Sequence, residues 1–111
     1  MRLGPSDTIE IVASEFEESQ EWVQRSLVAF LNAEIDLGFT FARTAKIQAQ
    51  MRNLEEFERA IKEAQATMET IQRFKGKIAK TEMQKVFQER ADELGNFISD
   101  IEPPKKPKDQ A

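Results

Sequence analysis

From Ser19 to Met51 the chain holds no proline and a single glycine, and its apolar residues recur at helical spacing throughout. A run of about 33 residues read as one helix is ~50 Å long, and that length constrains every arrangement of the rest. Two adjacent rows define its apolar side. Trp22, Ser26, Phe30, Ala33, Leu37, Phe41 and Thr44 form one row. Val23, Leu27, Leu31, Ile35, Gly38, Ala42, Ala45 and Ala49 form the other. Together they predict a wide face turned toward a core.

A second helix starts after Asn53, a good N-cap that makes a capping box with Glu56. Leu54, Phe57, Ile61, Ala64, Met68 and Ile71 then step by three and four residues, the clearest periodicity in the chain. Glu55–Arg59, Glu58–Lys62 and Glu69–Arg73 stand at i, i+4 on the outer side, in the favourable orientation. This helix stops near Gly76, where Arg73, Lys75 and Lys77 suit its negative dipole end. A third helix is expected from a Thr81 N-cap, with Met83, Val86, Phe87, Leu94, Phe97, Ile98 and Ile101 on its buried side. Pro103 and Pro104 end it. The segment TIEIVASEF near the N-terminus fits either a strand or a helix. Helix is favoured because the surroundings are helical, and Ser14-x-x-Glu17 is a capping box that starts or restarts one.

The fold class that follows is all-α: an antiparallel bundle of three long helices, with a short N-terminal fourth helix as an added option. Residues 1–102 form one helical domain, and 103–111 a flexible Pro/Lys-rich tail. The helix lengths do not match. Folding back from Leu54, the second helix reaches only to about Phe30 of the first. Trp22, Val23 and Leu27 are then left beyond its end, an apolar patch that soluble monomers avoid. Two covers fit: the segment with Ile9, Val12 and Phe16 folded back, or a second chain. Phe39 joins the patch as a candidate, because it points outward if Leu37, Gly38 and Phe41 face the core. The candidate interface is therefore Trp22, Val23, Leu27 and Phe39.

Composition removes much chemistry. There is no Cys and no His. Disulfides, thiolate metal sites and the Glu-x-x-His di-iron arrangement of bundles are excluded. Adjacent carboxylates (Glu17/Glu18, Glu55/Glu56) and the Glu34/Asp36 pair diverge on a helix and read as solvated faces. No nucleophile motif or phosphate-cradling glycine loop occurs. No enzyme activity, metal or cofactor is expected. The net charge is −4, with an acidic N-terminal third that argues against broad nucleic-acid wrapping. Arg73, Lys75, Lys77 and Lys80 are a local exception, a basic turn without an acid that is a candidate phosphate contact. The tail's Pro104-Lys-Lys-Pro107 is a PxxP element by pattern, read as a soluble tail. No long apolar run and no signal-peptide pattern are present, so a cytoplasmic chain away from membranes is expected.

Leu37-Gly38-x-x-Phe41, followed by Phe57, Ala60, Ile61 and Ala64, resembles the helical hairpin of tetratricopeptide-type repeats over about residues 30–75. That repeat couples a Leu-Gly pair to an aromatic one turn later and sets small residues on its second helix. The resemblance implies peptide or protein binding. More generally the chain is similar to small bacterial helical proteins, a likeness that implies no activity. The expected function is a non-enzymatic protein-interaction or assembly module, a homodimer through the N-terminal half of the first helix. A nucleic-acid or phosphate-binding accessory protein using the basic turn is the alternative.

Overall fold

The computed structural model describes the backbone of residues 5–104 and the side chains of residues 19–104. All its regular elements are helices: α1 (Pro5–Gln50), α2 (Leu54–Lys75) and α3 (Thr81–Ser99). The all-α, three-helix reading of the sequence is what the chain adopts. The optional fourth helix is not. The N-terminal segment instead continues α1 without a break through Ser14–Glu17, making one helix of 46 residues, ~69 Å long. The segment contains neither glycine nor proline between Ser6 and Glu21, so nothing in it ends a helix.

Contacts between side chains give the helix directions. Phe57 and Ala60 of α2 pack with Ala45 of α1. Thr67 lies against Gly38, and Phe74 meets Phe30 edge to face at 5.8 Å. Position thus rises along α2 as it falls along α1, and the two are antiparallel. On α3, Arg90 pairs with Asp36 at 3.5 Å, Leu94 abuts Gly38, and Phe97 meets Phe39. α3 therefore runs parallel to α1 and back along α2.

The core is built from the second of the two rows on α1. Leu31, Ile35, Gly38, Ala42 and Ala45 are buried, facing Ala64, Thr67 and Ile71 of α2 and Phe87, Ala91 and Leu94 of α3. The row through Trp22, Ser26, Ala33 and Leu37 faces solvent instead. A helix with two neighbours on one side buries only part of its circumference, and the sequence-predicted face was wider than α2 and α3 can cover. Two details of α3 also differ from expectation. Lys80, not Thr81, is its N-cap, and Val86 is exposed. The missed core residue is Ala91, whose small side chain gives no hydrophobic signal of its own but lets α3 approach closely.

Gly38 sits where all three helices meet. An added Cβ would lie 2.6 Å from Leu94 Cδ2 and 3.1 Å from Thr67 Cγ2. The missing side chain is what lets α1 come this close to both neighbours. Thr67 is buried without cost, because its hydroxyl donates to the Glu63 carbonyl at 3.0 Å and leaves its methyl for packing.

The ends of α2 follow local chemistry. Asn53 accepts the Glu56 N–H at 3.3 Å, as an N-cap should. Arg59 pairs with Glu56 at 3.3 Å rather than with Glu55, a small change of partner on an exposed face. Gly76 ends the helix in an ordinary right-handed conformation, φ −68°, and a Cβ there would touch nothing within 4 Å. Gly76→Ala should therefore stabilise the fold by about 0.4–1 kcal/mol through the unfolded chain's lost freedom. Urea titration checks it, and a lower midpoint would show that Gly76 needs a conformation closed to alanine.

Candidate interaction surface

The residues expected to form an interface divide into two groups. Trp22 and Val23 stay open, with 65% and 46% of their surface exposed. Leu27 does not. It is half-buried against the main core, because the chain between α2 and α3 runs on past the end of α2 and inserts Ile78, which is 2% exposed. Gln24 pins that connection: its Nε2 donates to the Lys77 carbonyl at 3.1 Å, and its Oε1 accepts the Ala79 N–H at 2.9 Å. Only the residues before Gln24 lie beyond the hairpin.

Phe39 is also an internal residue rather than an outward one. It packs on α3, with its ring 6.1 Å from that of Phe97 at 72°, an edge-to-face pair, and the Arg43 guanidinium lies over it at 5.8 Å. The expectation failed because it assumed that Leu37 faces the core. Leu37 is 42% exposed, which turns Phe39 inward toward α3.

From Pro5 to Val23 the helix extends ~27 Å past the turn between α2 and α3. Ile9, Val12 and Phe16, the proposed internal cover, lie outside the residues whose side chains are described. Their backbone belongs to the continuous helix and does not fold back over Trp22. Beside the turn, Val28, Ile78, Ala79 and Met83 line an open groove of about 610 Å3, edged by Glu21, Arg25 and Lys80.

The four bases of the turn have separate surroundings. Lys75 donates to Gln88 Oε1 on α3. Lys77 lies over the Phe74 ring at 5.0 Å, Lys80 edges the groove beside Val28, and Arg73 stands exposed in the last turn of α2. Among the described residues no group of three or more Asp or Glu side chains converges on a point where a metal would sit, and no helix is long and apolar enough to cross a membrane. Residues 105–111, with most of the PxxP element, lie outside the described residues.

What sequence reading missed is the outer side of α1. Trp22, Ser26, Ala29, Ala33, Leu37, Thr40, Thr44, Ile47 and Met51 are all exposed and none is charged. Trp22, Ser26, Ala33, Leu37 and Thr44 lay in a row assigned to the core, and Ala29, Thr40, Ile47 and Met51 in no predicted contact. The signal was available in that row's near-absence of charge, but two apolar rows side by side look like one wide face. Comparison of the chain with protein-family models, curated protein sequences and solved structures gave no match.

Proposed function

We propose that the protein is a non-enzymatic assembly module that associates with a second copy of itself through the N-terminal half of α1. The observation that carries the reading is the exposure of Trp22 and Val23 where α1 runs on past the α2–α3 turn. A bare indole and a valine at 65% and 46% exposure, where α1 runs on past the α2–α3 turn, form a surface that association would remove from water. The likeness to a tetratricopeptide-type hairpin supports a protein-binding role in general. The phosphate-binding alternative has less behind it, because Lys75, Lys77 and Lys80 engage separate neighbours, while Arg73 is exposed in the last turn of α2.

The chain contains one Trp and no Tyr, so its intrinsic fluorescence reports Trp22 alone. On dilution from high to low micromolar, the emission should shift to the red as Trp22 returns to water. Val23→Lys, which places a charge in the patch but keeps the indole, should emit at the red position at every concentration. Emission independent of concentration in both chains would oppose the proposal.

A further inference from the structure

The outer face of α1 opposite the core has a spacing that fits a second copy of itself. Trp22, Ser26, Ala29, Ala33, Leu37, Thr40, Thr44 and Ile47 follow one another three or four residues apart and so share one side of the helix, and Met51, in the turn just after α1, continues the line with its N–H on the Ile47 carbonyl at 3.0 Å. Of the charged residues in the same span, Arg25, Asp36 and Arg43 border the stripe along one edge, and Glu34 and Lys46 stand further round the helix. The faces of α2 and α3 that look away from the core are laden with charge, including Glu58, Arg59, Lys62, Glu69, Lys85, Glu89 and Asp92. The stripe on α1 itself carries no charge, and large apolar side chains stand on it: Leu37, Ile47 and Met51 are 42%, 53% and 67% exposed.

The two threonine hydroxyls on this face are already satisfied. Thr40 Oγ1 donates to the Asp36 carbonyl and Thr44 Oγ1 to the Thr40 carbonyl, both at 2.9 Å. Covering them strands no donor, and their methyl groups remain for packing. Close approach of another helix is therefore favoured on either side of Leu37, where the residues are Ser, Ala, Ala, Thr and Thr.

We infer that the occupant is α1 of a second copy, lying antiparallel across a twofold axis beside Leu37; the inference rests on the self-association proposed above and extends its interface from Trp22 along the C-terminal half of α1. Positions 22 and 51, 26 and 47, 29 and 44, and 33 and 40 are placed symmetrically about the point between Asp36 and Leu37. Reversing one helix on the other thus brings Trp22 to the second copy's Met51, Ser26 to its Ile47, Ala29 to its Thr44 and Ala33 to its Thr40. Large meets large at the two ends, and the Ile47 side chain meets the space left by Ser26. A twofold interface must be self-complementary in this sense. A parallel pairing would instead stack Trp22 on Trp22 and face the small residues with each other, leaving gaps beside the larger ones.

The size is that of a weak, concentration-dependent dimer. From Trp22 to Met51 the stripe is ~44 Å long, and helices in contact lie 8–10 Å apart, giving a projected footprint of roughly 400 Å2 on each copy. Interdigitated side chains remove more surface than their projection, toward the ~800 Å2 per partner of a stable interface.

Because the chain has no Cys, single cysteines test the geometry cleanly. All the positions chosen are exposed, so the fold tolerates the change. Leu37→Cys, beside the proposed axis, should form a covalent dimer under mild oxidation about 100-fold faster than Lys62→Cys on the outer side of α2, as millimolar effective concentration exceeds micromolar collision. Mixed Ser26→Cys and Ile47→Cys chains should give the mixed disulfide in preference to either homodisulfide. Preferred Ser26→Cys and Ile47→Cys homodisulfides would overturn the antiparallel geometry. So would a dimer by light scattering in which Leu37→Cys links no faster than Lys62→Cys, and self-association itself would then stand. A chain that stays monomeric by light scattering would remove both.

Discussion

Replacing Phe87 by Ala is expected to cost about 3–5 kcal/mol, the largest loss from any single truncation in this fold. Phe87 is 1% exposed and is the largest fully buried side chain, set among Leu31, Ile35, Ile71, Ile78 and Leu94. It is also the main anchor of α3, whose other buried residues are only Ala91 and Leu94. The stability of a domain of this size is about 5–15 kcal/mol, so the loss is a large share of the whole. Denaturant titration followed by far-UV circular dichroism would check it, with protein concentration held fixed because association adds to apparent stability. A loss under about 1 kcal/mol would mean that α3 is not held by this contact.

Gly38→Leu should destabilise by about 1–3 kcal/mol, although removing glycine from a helix interior normally gains ~1 kcal/mol. Even the first carbon of a side chain would meet Leu94 Cδ2 at 2.6 Å and Thr67 Cγ2 at 3.1 Å. Thr67 has little freedom to yield, since its hydroxyl is tied to the Glu63 carbonyl. Leu94 is wholly buried, so its displaced tip must push on other core atoms. With Leu the three further carbons have no space, and α2 or α3 must move away from α1. Thermal unfolding would show a fall of roughly 4–8 °C per kcal/mol. An unchanged melting temperature would mean that the three helices do not meet at this residue.

Much of the fold could be read from residue spacing. The steps from Leu54 to Ile71 located α2, because that helix has one narrow buried stripe and a charged outer side. The small row Gly38, Ala42, Ala45 marked the contact with α2 for a related reason, since small residues in a row permit close backbone approach. The orientation of α1 was harder. Its two uncharged rows differ little in hydrophobicity, and only tertiary contact decides which one α2 and α3 cover. Placing Leu37 inward sent Phe39 outward, and one error produced the other. Leu27 was lost to the interface for a different reason: helix lengths do not reveal that the turn after α2 would extend to Gln24 and bury Ile78. The continuous N-terminal helix was obscured by Ile9, Ile11 and Ala13, whose alternation imitates a strand, and by Ser14, whose cap chemistry is equally at home inside a helix.

Of the four candidate interface residues, Trp22 and Val23 remain, joined by an outer face of α1 on which Leu37, Ile47 and Met51 are exposed. We propose that this surface is covered by another copy of the chain. Light scattering coupled to size exclusion, run from low to high micromolar, measures that most directly. The prediction is a mass rising to twice the 12.8 kDa of the chain. A mass that stays at 12.8 kDa across the whole range would contradict it.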